Sequence, residues 1–176
     1  MRARRPSRPC PRAFVAAIVF ATWVALVGPL VASTAWAAGS PSVRVLLAES
    51  KEPVAIGDGA RGQRVTLARE GSGLVVDGAP VGARWSPRGD GPWQVAGRRY
   101  RGRLELLAAG PQILVVNHVE LEDYVAATVG GEMPASWPEQ ALRAQAVATR
   151  TYALHQRDLR RAEPWDVRAT EQSQVY

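Results

Sequence analysis

Hydrophobic and polar positions follow two different periods along this chain, and the change of period divides it. Val43, Val45 and Leu47 alternate with Arg44 and Leu46, the period of two expected of a strand with one buried face. Short runs at 63–67, 73–77 and 100–107 read as further strands. The stretches between them hold turn formers: Gly57-Asp58-Gly59, Asp77-Gly78-Ala79-Pro80, and the proline-glycine segment 86–92,. Short strands at close spacing with glycine turns predict a small antiparallel sheet or barrel. Residues 113–119 form a last, more apolar strand.

From Glu120 the period becomes helical. Leu121, Tyr124, Val125, Thr128 and Val129 fall at i, i+3, i+4, i+7 and i+8, one face of a helix. Glu122 and Asp123 lie in its first turn, where the helix dipole favours negative charge. Gly130-Gly131 is expected to end it, because glycine closes a helix in the left-handed conformation without steric cost. A second helix is expected to start at Ser136-Trp137-Pro138-Glu139, which fits a capping box with proline placed where it loses no hydrogen bond. It should run to about Arg161, its many alanines permitting close packing. The predicted class is α+β: a strand-rich N-terminal part, 38–112, followed by two helices flanking a Gly-Gly-Glu-Met-Pro loop within 113–176.

The start of the chain reads as a targeting segment. Arg2, Arg4, Arg5, Arg8 and Arg12 precede an apolar run over 13–31, and Ala35-Trp36-Ala37 places small residues where a signal peptidase reads,. Residues 1–37 are expected to be a signal peptide cleaved after Ala37, and the protein to be exported to the periplasm or cell envelope. The competing reading is an uncleaved membrane anchor, since the apolar run is nearly long enough to span a bilayer. Gly28-Pro29 followed by Ala-x-Ala favours cleavage. Arg4-Arg5 lacks the flanks of a twin-arginine signal.

Charge and cysteine usage change meaning once this leader is set aside. The whole chain carries a net charge of +6; the leader holds five arginines and no acid, so the remainder is nearly neutral. The basic balance therefore belongs to the export signal, and no nucleic-acid partner is expected. Cys10, the sole cysteine, also lies in the leader and lacks a lipoprotein pattern. The mature chain would have no thiol, which excludes disulfides, cysteine nucleophiles and cysteine-ligated metals.

Glu132, between Gly130-Gly131 and Met133-Pro134, is the leading candidate for chemistry. A carboxyl in a short, pinned segment with small and apolar neighbours is expected to have its pKa raised by desolvation. It would then stay protonated and donate to a leaving oxygen. The bland reading is a surface glutamate bonding to free N–H groups at the next helix start. Arg143 and Arg150, seven apart, share a helical face with Arg157,. That face reads either as an anion site or as a solvated basic stripe. Trp85 and Trp93 flank the proline-glycine segment, where core plugs are commoner than sugar-stacking platforms. Gly57, Gly59 and Gly62 lack the Gly-Lys-Ser/Thr of a phosphate loop. His118 and His155 fall on different elements, so neither signals a metal.

The run from Glu120 to Tyr152 closely resembles the SpoIID/LytB family, exported bacterial proteins that act on peptidoglycan. Leu121-Glu122-Asp123-Tyr124, Glu132-Met133-Pro134 and the segment Ala141 to Tyr152 match the family in register, with Arg143 where it has lysine and Thr149 where it has alanine. Trp165-Asp166-Val167 through Gln174-Val175-Tyr176 looks like the family's next segment. Members continue past the equivalent of Tyr176, so a truncated C-terminus is expected.

The resemblance implies a lytic transglycosylase that cuts the β-1,4 bond between N-acetylmuramic acid and N-acetylglucosamine, with Glu132 as acid/base and 1,6-anhydro ends as product. It also implies that Arg143, Gln145 and Arg150 bind substrate or support the site, while Tyr152 packs in the core. No cofactor is expected. Some relatives hold zinc through cysteines, but the equivalent positions here, Arg168 and Ser173, are poor ligands, so no metal is expected. Ordinary hydrolysis would need a second carboxylate, for which Glu120, Asp123 and Asp166 are the candidates. The alternative function is a non-catalytic glycan-binding module that enhances a separate cell-wall amidase. A purely structural envelope protein would leave the Glu-Met-Pro segment unexplained. The expected partners are glycan strands and, on the alternative, the amidase; a membrane contact is expected only if the leader stays uncleaved.

Overall fold

The computed structural model describes residues 41–59, 62–169 and 176. The predicted signal peptide 1–37 with Cys10, and Ser173 and Gln174-Val175, lie outside the described residues.

The strand-rich part builds two sheets. In chain order the strands are β1 (Ser42–Ser50), β2 (Val54–Asp58), β3 (Arg64–Glu70), β4 (Gly73–Val76), β5 (Ala79–Gly82), β6 (Arg84–Trp85), β7 (Trp93–Val95), β8 (Arg98–Tyr100), β9 (Arg103–Ala109) and β10 (Gln112–Glu120). They are followed by α1 (Leu121–Glu132), α2 (Glu139–Leu159) and a short β11 (Val167–Arg168). One sheet has the order β5-β4-β3-β2-β7-β8, the other β11-β1-β10-β9-β6. Pairing is antiparallel except between β1 and β11. The class is therefore α+β, with both helices after the first ten strands. Neither described helix is long and apolar enough to cross a membrane.

The central strand β10 explains how the parts join. Ile113 and Val115 pack with Leu104 and Leu106 against Ile56, Leu67, Leu74, Trp93 and Val95 of the other sheet. Further along the same face, Val119 joins Val43, Val45, Leu121, Tyr124, Val125, Ala153 and Val167 in a second cluster under the helices. Leu114 and Val116, pointing the other way as strand alternation requires, pack with Leu46 and Leu107 in a third cluster against Trp165. Both faces of β10 are thus apolar. The simple alternation read for β1 breaks after Leu46, where the register with β10 shifts. Leu46, before the shift, is buried on the other face with Leu114 and Val116. Leu47, at the bulge, is only half-buried, since an extra residue moves later side chains to the opposite face.

α1 buries Leu121, Tyr124, Val125 and Thr128, the stripe read from the sequence. It runs further than the glycines predicted. Gly130 and Gly131 are helical, and the Met133 N–H donates to the Val129 carbonyl at 3.0 Å. Glycine permits a left-handed stop but does not impose one, so Glu132 sits in the last helical turn. The predicted capping box is absent as well. α2 opens at Glu139 with Pro138 at the cap position and no side-chain cap, because Ser136 lies two residues too early to cap it. Glu139 pairs with Arg143 one turn on, at 2.6 Å.

Candidate active site

Glu132 is held by the packing of α1 on α2. It is half-buried at the end of α1, and the Gln145 side-chain amide donates from α2 to its Oε2. Ten residues earlier on α1, Glu122 receives both Arg150 Nε at 2.8 Å and Arg150 Nη2 at 2.6 Å. The two cross-links tie α1 near its two ends to the middle of α2. The Arg150 bonds lower the Glu122 pKa despite its exposure.

Of the three residues grouped with Glu132, Gln145 bonds directly to it. Arg150 is bound at Glu122, roughly 15 Å back along α1 at 1.5 Å per residue,. Arg143 is exposed and paired with Glu139 on its own helix. Equal spacing put Arg143 and Arg150 on one face, but a neighbouring acid claimed each guanidinium.

The candidates for a second carboxylate are placed elsewhere. Glu120 and Asp123 stand roughly 18 and 14 Å from Glu132 along the helix rise. Asp166 is 1% exposed and tied to Arg44 by an ion pair of 2.5 Å and by the Arg44 backbone N–H at 2.8 Å. Among the described residues no three His, Cys, Asp or Glu side chains gather as a metal site.

Tyr124, on the core side of α1, lies close enough to Glu132 to feel its charge, and it opens a row of aromatic rings that periodicity alone concealed. Tyr124 is fully buried, and its ring lies 5.2 Å from that of Tyr176, which in turn stacks on Tyr100 at 5.7 Å. Burial is the main cause that holds the Tyr124 phenol well above its ordinary pKa, and the nearby Tyr152 and Glu132 add to it. Burial pushes Tyr176 up to about 12, against a 2.9 Å bond from Asn117 that favours its ionisation. Both phenols are neutral at physiological pH, so they can donate hydrogen bonds. Tyr152 is half-buried against the second cluster.

Trp137 is the other residue the sequence reading passed over as a functional group. It lies in the connection 133–138 and is 52% exposed. Trp93, by contrast, is 3% exposed and donates its indole N–H to the Gly102 carbonyl at 2.9 Å, the geometry of a core plug. The signal for Trp137 was available: a large aromatic between two prolines, outside either helical stripe.

With this geometry in place, comparison with known proteins gives three findings. Residues 109–176 match the model of a family described as SpoIID, stage II sporulation protein. An uncharacterized protein of Brachyspira hyodysenteriae (strain ATCC 49526 / WA1) is 43% identical over 82 residues, which cover 46% of this chain and 22% of that relative. No solved structure matches.

Proposed function

Residues 109–176 belong to the SpoIID family, and from that premise we propose that the protein works on the cell wall as a lytic transglycosylase of peptidoglycan glycan strands. The observation that carries the reading is Glu132, half-buried at a helix end and fixed through Oε2 by Gln145. A positioned carboxyl is what general acid/base catalysis requires. Glu132 protonates the oxygen linking C1 of N-acetylmuramic acid to C4 of N-acetylglucosamine. The C1–O bond breaks and the N-acetylglucosamine 4-hydroxyl leaves. The new carboxylate then takes the proton of the muramoyl 6-hydroxyl, whose oxygen closes on C1 as the 1,6-anhydro bond. The proton returns to Glu132, so the cycle needs no second carboxylate.

That economy agrees with the placement of Glu120, Asp123 and Asp166. A hydrolytic pair needs its carboxyls roughly 5–9.5 Å apart, and Asp123 on α1 and Glu120 just before it are further back than that. Gln145 supports the cycle by donating to the carboxylate formed after the first proton transfer. Gln145→Leu is expected to fold normally and to lower the rate of anhydro-end formation by roughly tenfold, the scale of one hydrogen bond to a charged group. Single-turnover product analysis checks it. Retention of the rate would remove Gln145 from the site.

Trp137, in the connection that follows Glu132, offers an exposed aromatic face suited to the apolar face of a sugar ring. Trp137→Ala is expected to weaken retention of glycan strands about fivefold at unchanged melting temperature, as a stacking contact of about 1 kcal/mol implies. Co-sedimentation with purified strands checks it. Export through residues 1–37 belongs to the same proposal, and the mass of the protein recovered from the cell envelope reads the cleavage site directly.

The test of the function is mass spectrometry of peptide-stripped strands incubated with the protein. Fragments with anhydro ends support the transglycosylase. Strands that stay intact yet co-sediment would replace it with the glycan-binding module that enhances an amidase.

A further inference from the structure

A cleft of about 620 Å³ lies against the opposite side of α1, between Ala126-Ala127 and the segment Arg98 to Arg101, and reaches Gly131 next to Glu132. Three of the four residues of that segment are arginines. Elsewhere among the described residues, six arginines form ion pairs, Arg44, Arg84, Arg143, Arg150, Arg161 and Arg168, and six others do not, none of them three to a segment as here. Among the described residues Arg98, Arg99 and Arg101 form none. Arg98 reaches the carbonyl of Tyr176 at 3.2 Å. The single acid of the cleft is Asp123, on the helix wall.

The backbone that carries these arginines is fixed. The Gly102 N–H donates to the Asp90 carbonyl at 2.9 Å, the Trp93 indole to the Gly102 carbonyl at 2.9 Å, and buried Asn117 to the Arg101 carbonyl at 3.0 Å. Gly102 itself has φ +91°, and a Cβ there would overlap the carbonyl oxygen of His118. Only glycine lets β10 and the arginine segment approach this closely. The Tyr100–Tyr176 stack also lines the cleft. Solvated surface arginines need neither a pinned backbone nor an aromatic-lined hollow. A guanidinium held in place loses little freedom on meeting an oxyanion, and its planar fork matches carboxylate or phosphate.

We propose that this cleft is a binding subsite for oxyanions borne on wall glycan, with Arg99 and Arg101 as the anion-reading groups and Tyr100 as the platform for a sugar face. The proposal rests on the wall-glycan reading above. Two sources share the chemistry: the lactyl carboxylate of a peptide-free muramic residue, and the phosphodiester of a phosphate polymer attached to the wall.

Retention is measured in the Glu132→Gln background, so that strands stay whole. Any cutting that persists there counts against Glu132 as the acid, while retention still reads the subsite. Three probes are compared: peptide-stripped strands, the same strands with carboxylates amidated by carbodiimide, and poly(glycerol phosphate). Arg99→Ala/Arg101→Ala is expected to lose at least about tenfold in retention of stripped strands, with a shallower salt dependence. Retention of amidated strands and the melting temperature should not change, and Arg99→Lys/Arg101→Lys should recover part of the loss. A loss confined to poly(glycerol phosphate) would keep the oxyanion subsite and assign the phosphate as its ligand. Unchanged retention of both anionic probes would overturn the proposal, as would an equal loss on amidated strands.

Discussion

Glu132→Gln is expected to fold at nearly wild-type stability and to form anhydro ends about 10²- to 10⁴-fold more slowly, the range for removing a general acid. The substitution keeps the shape of the side chain and takes away only its transferable proton. The bond to Gln145 can persist, because a glutamine at 132 still presents a carbonyl oxygen to the Gln145 amide,. Half-burial at a helix end makes large repacking unnecessary. Rate loss and stability should therefore separate, with anhydro-end formation followed by mass spectrometry and folding by thermal denaturation. Wild-type rates from this variant would remove Glu132 from the chemistry. A matching fall in melting temperature would show instead that the carboxylate serves the helix packing.

The substitution has a second consequence that a purely kinetic loss would lack. The Glu132 charge adds to the burial that keeps the Tyr124 phenol neutral. Without that charge, Tyr124 should ionise somewhat more easily, though burial alone still holds it above the ordinary phenol range. The phenol therefore remains a hydrogen-bond donor in the variant. Any lost activity then belongs to the missing proton of Glu132 and not to a changed state of its neighbour.

The parts of this fold that were readable in advance were those fixed by local pattern. The α1 stripe of Leu121, Tyr124, Val125 and Thr128 is buried as its spacing required, and the strand-rich first part did become short antiparallel strands. What could not be read depended on contacts distant in sequence. Gly130-Gly131 looked like a stop, yet the last turn of α1 continues through both to Glu132. Arg143 and Arg150 shared a face by spacing, but Glu139 and Glu122 draw them to separate places. The second sheet, the bulge after Leu46 and the return of Tyr176 onto Tyr124 are all set by long-range pairing, which leaves little trace in local periodicity.

Asp166 is the sharpest such case, and it yields the largest expected effect on stability. As an acid near the end of the family-like segment it had the credentials of a second catalytic carboxylate. In the fold it accepts Arg44 N at 2.8 Å through Oδ2 and Arg44 Nε at 3.0 Å through Oδ1, while its own N–H donates to the Arg44 carbonyl at 2.8 Å. The same guanidinium reaches the Arg160 carbonyl at 3.0 Å just past α2. The Trp165 ring beside it lies between Arg160 and Arg168, at 4.4 and 4.6 Å. This joint fastens the exit of α2 to β1. α2 buries only Thr149 and Ala153, so the joint also helps to hold the helix that carries Gln145.

Asp166→Ala is expected to cost about 3 kcal/mol, because removing one partner strands the other's charge and a buried N–H, and to lower the melting temperature by roughly 10 °C. Asp166→Asn, which keeps an acceptor, should cost less. Arg44→Met/Asp166→Leu should return much of the loss, since apolar packing can replace an ion pair whose two charges leave together. The cleavage rate decides between the two roles of Asp166. Measured well below each variant's melting temperature, anhydro-end formation by Asp166→Asn should stay within a few-fold of wild type, as expected of a residue that acts through helix position. A 10²-fold loss in a fully folded Asp166→Asn would instead make it a catalytic partner of Glu132, and the single-carboxyl cycle would have to be abandoned.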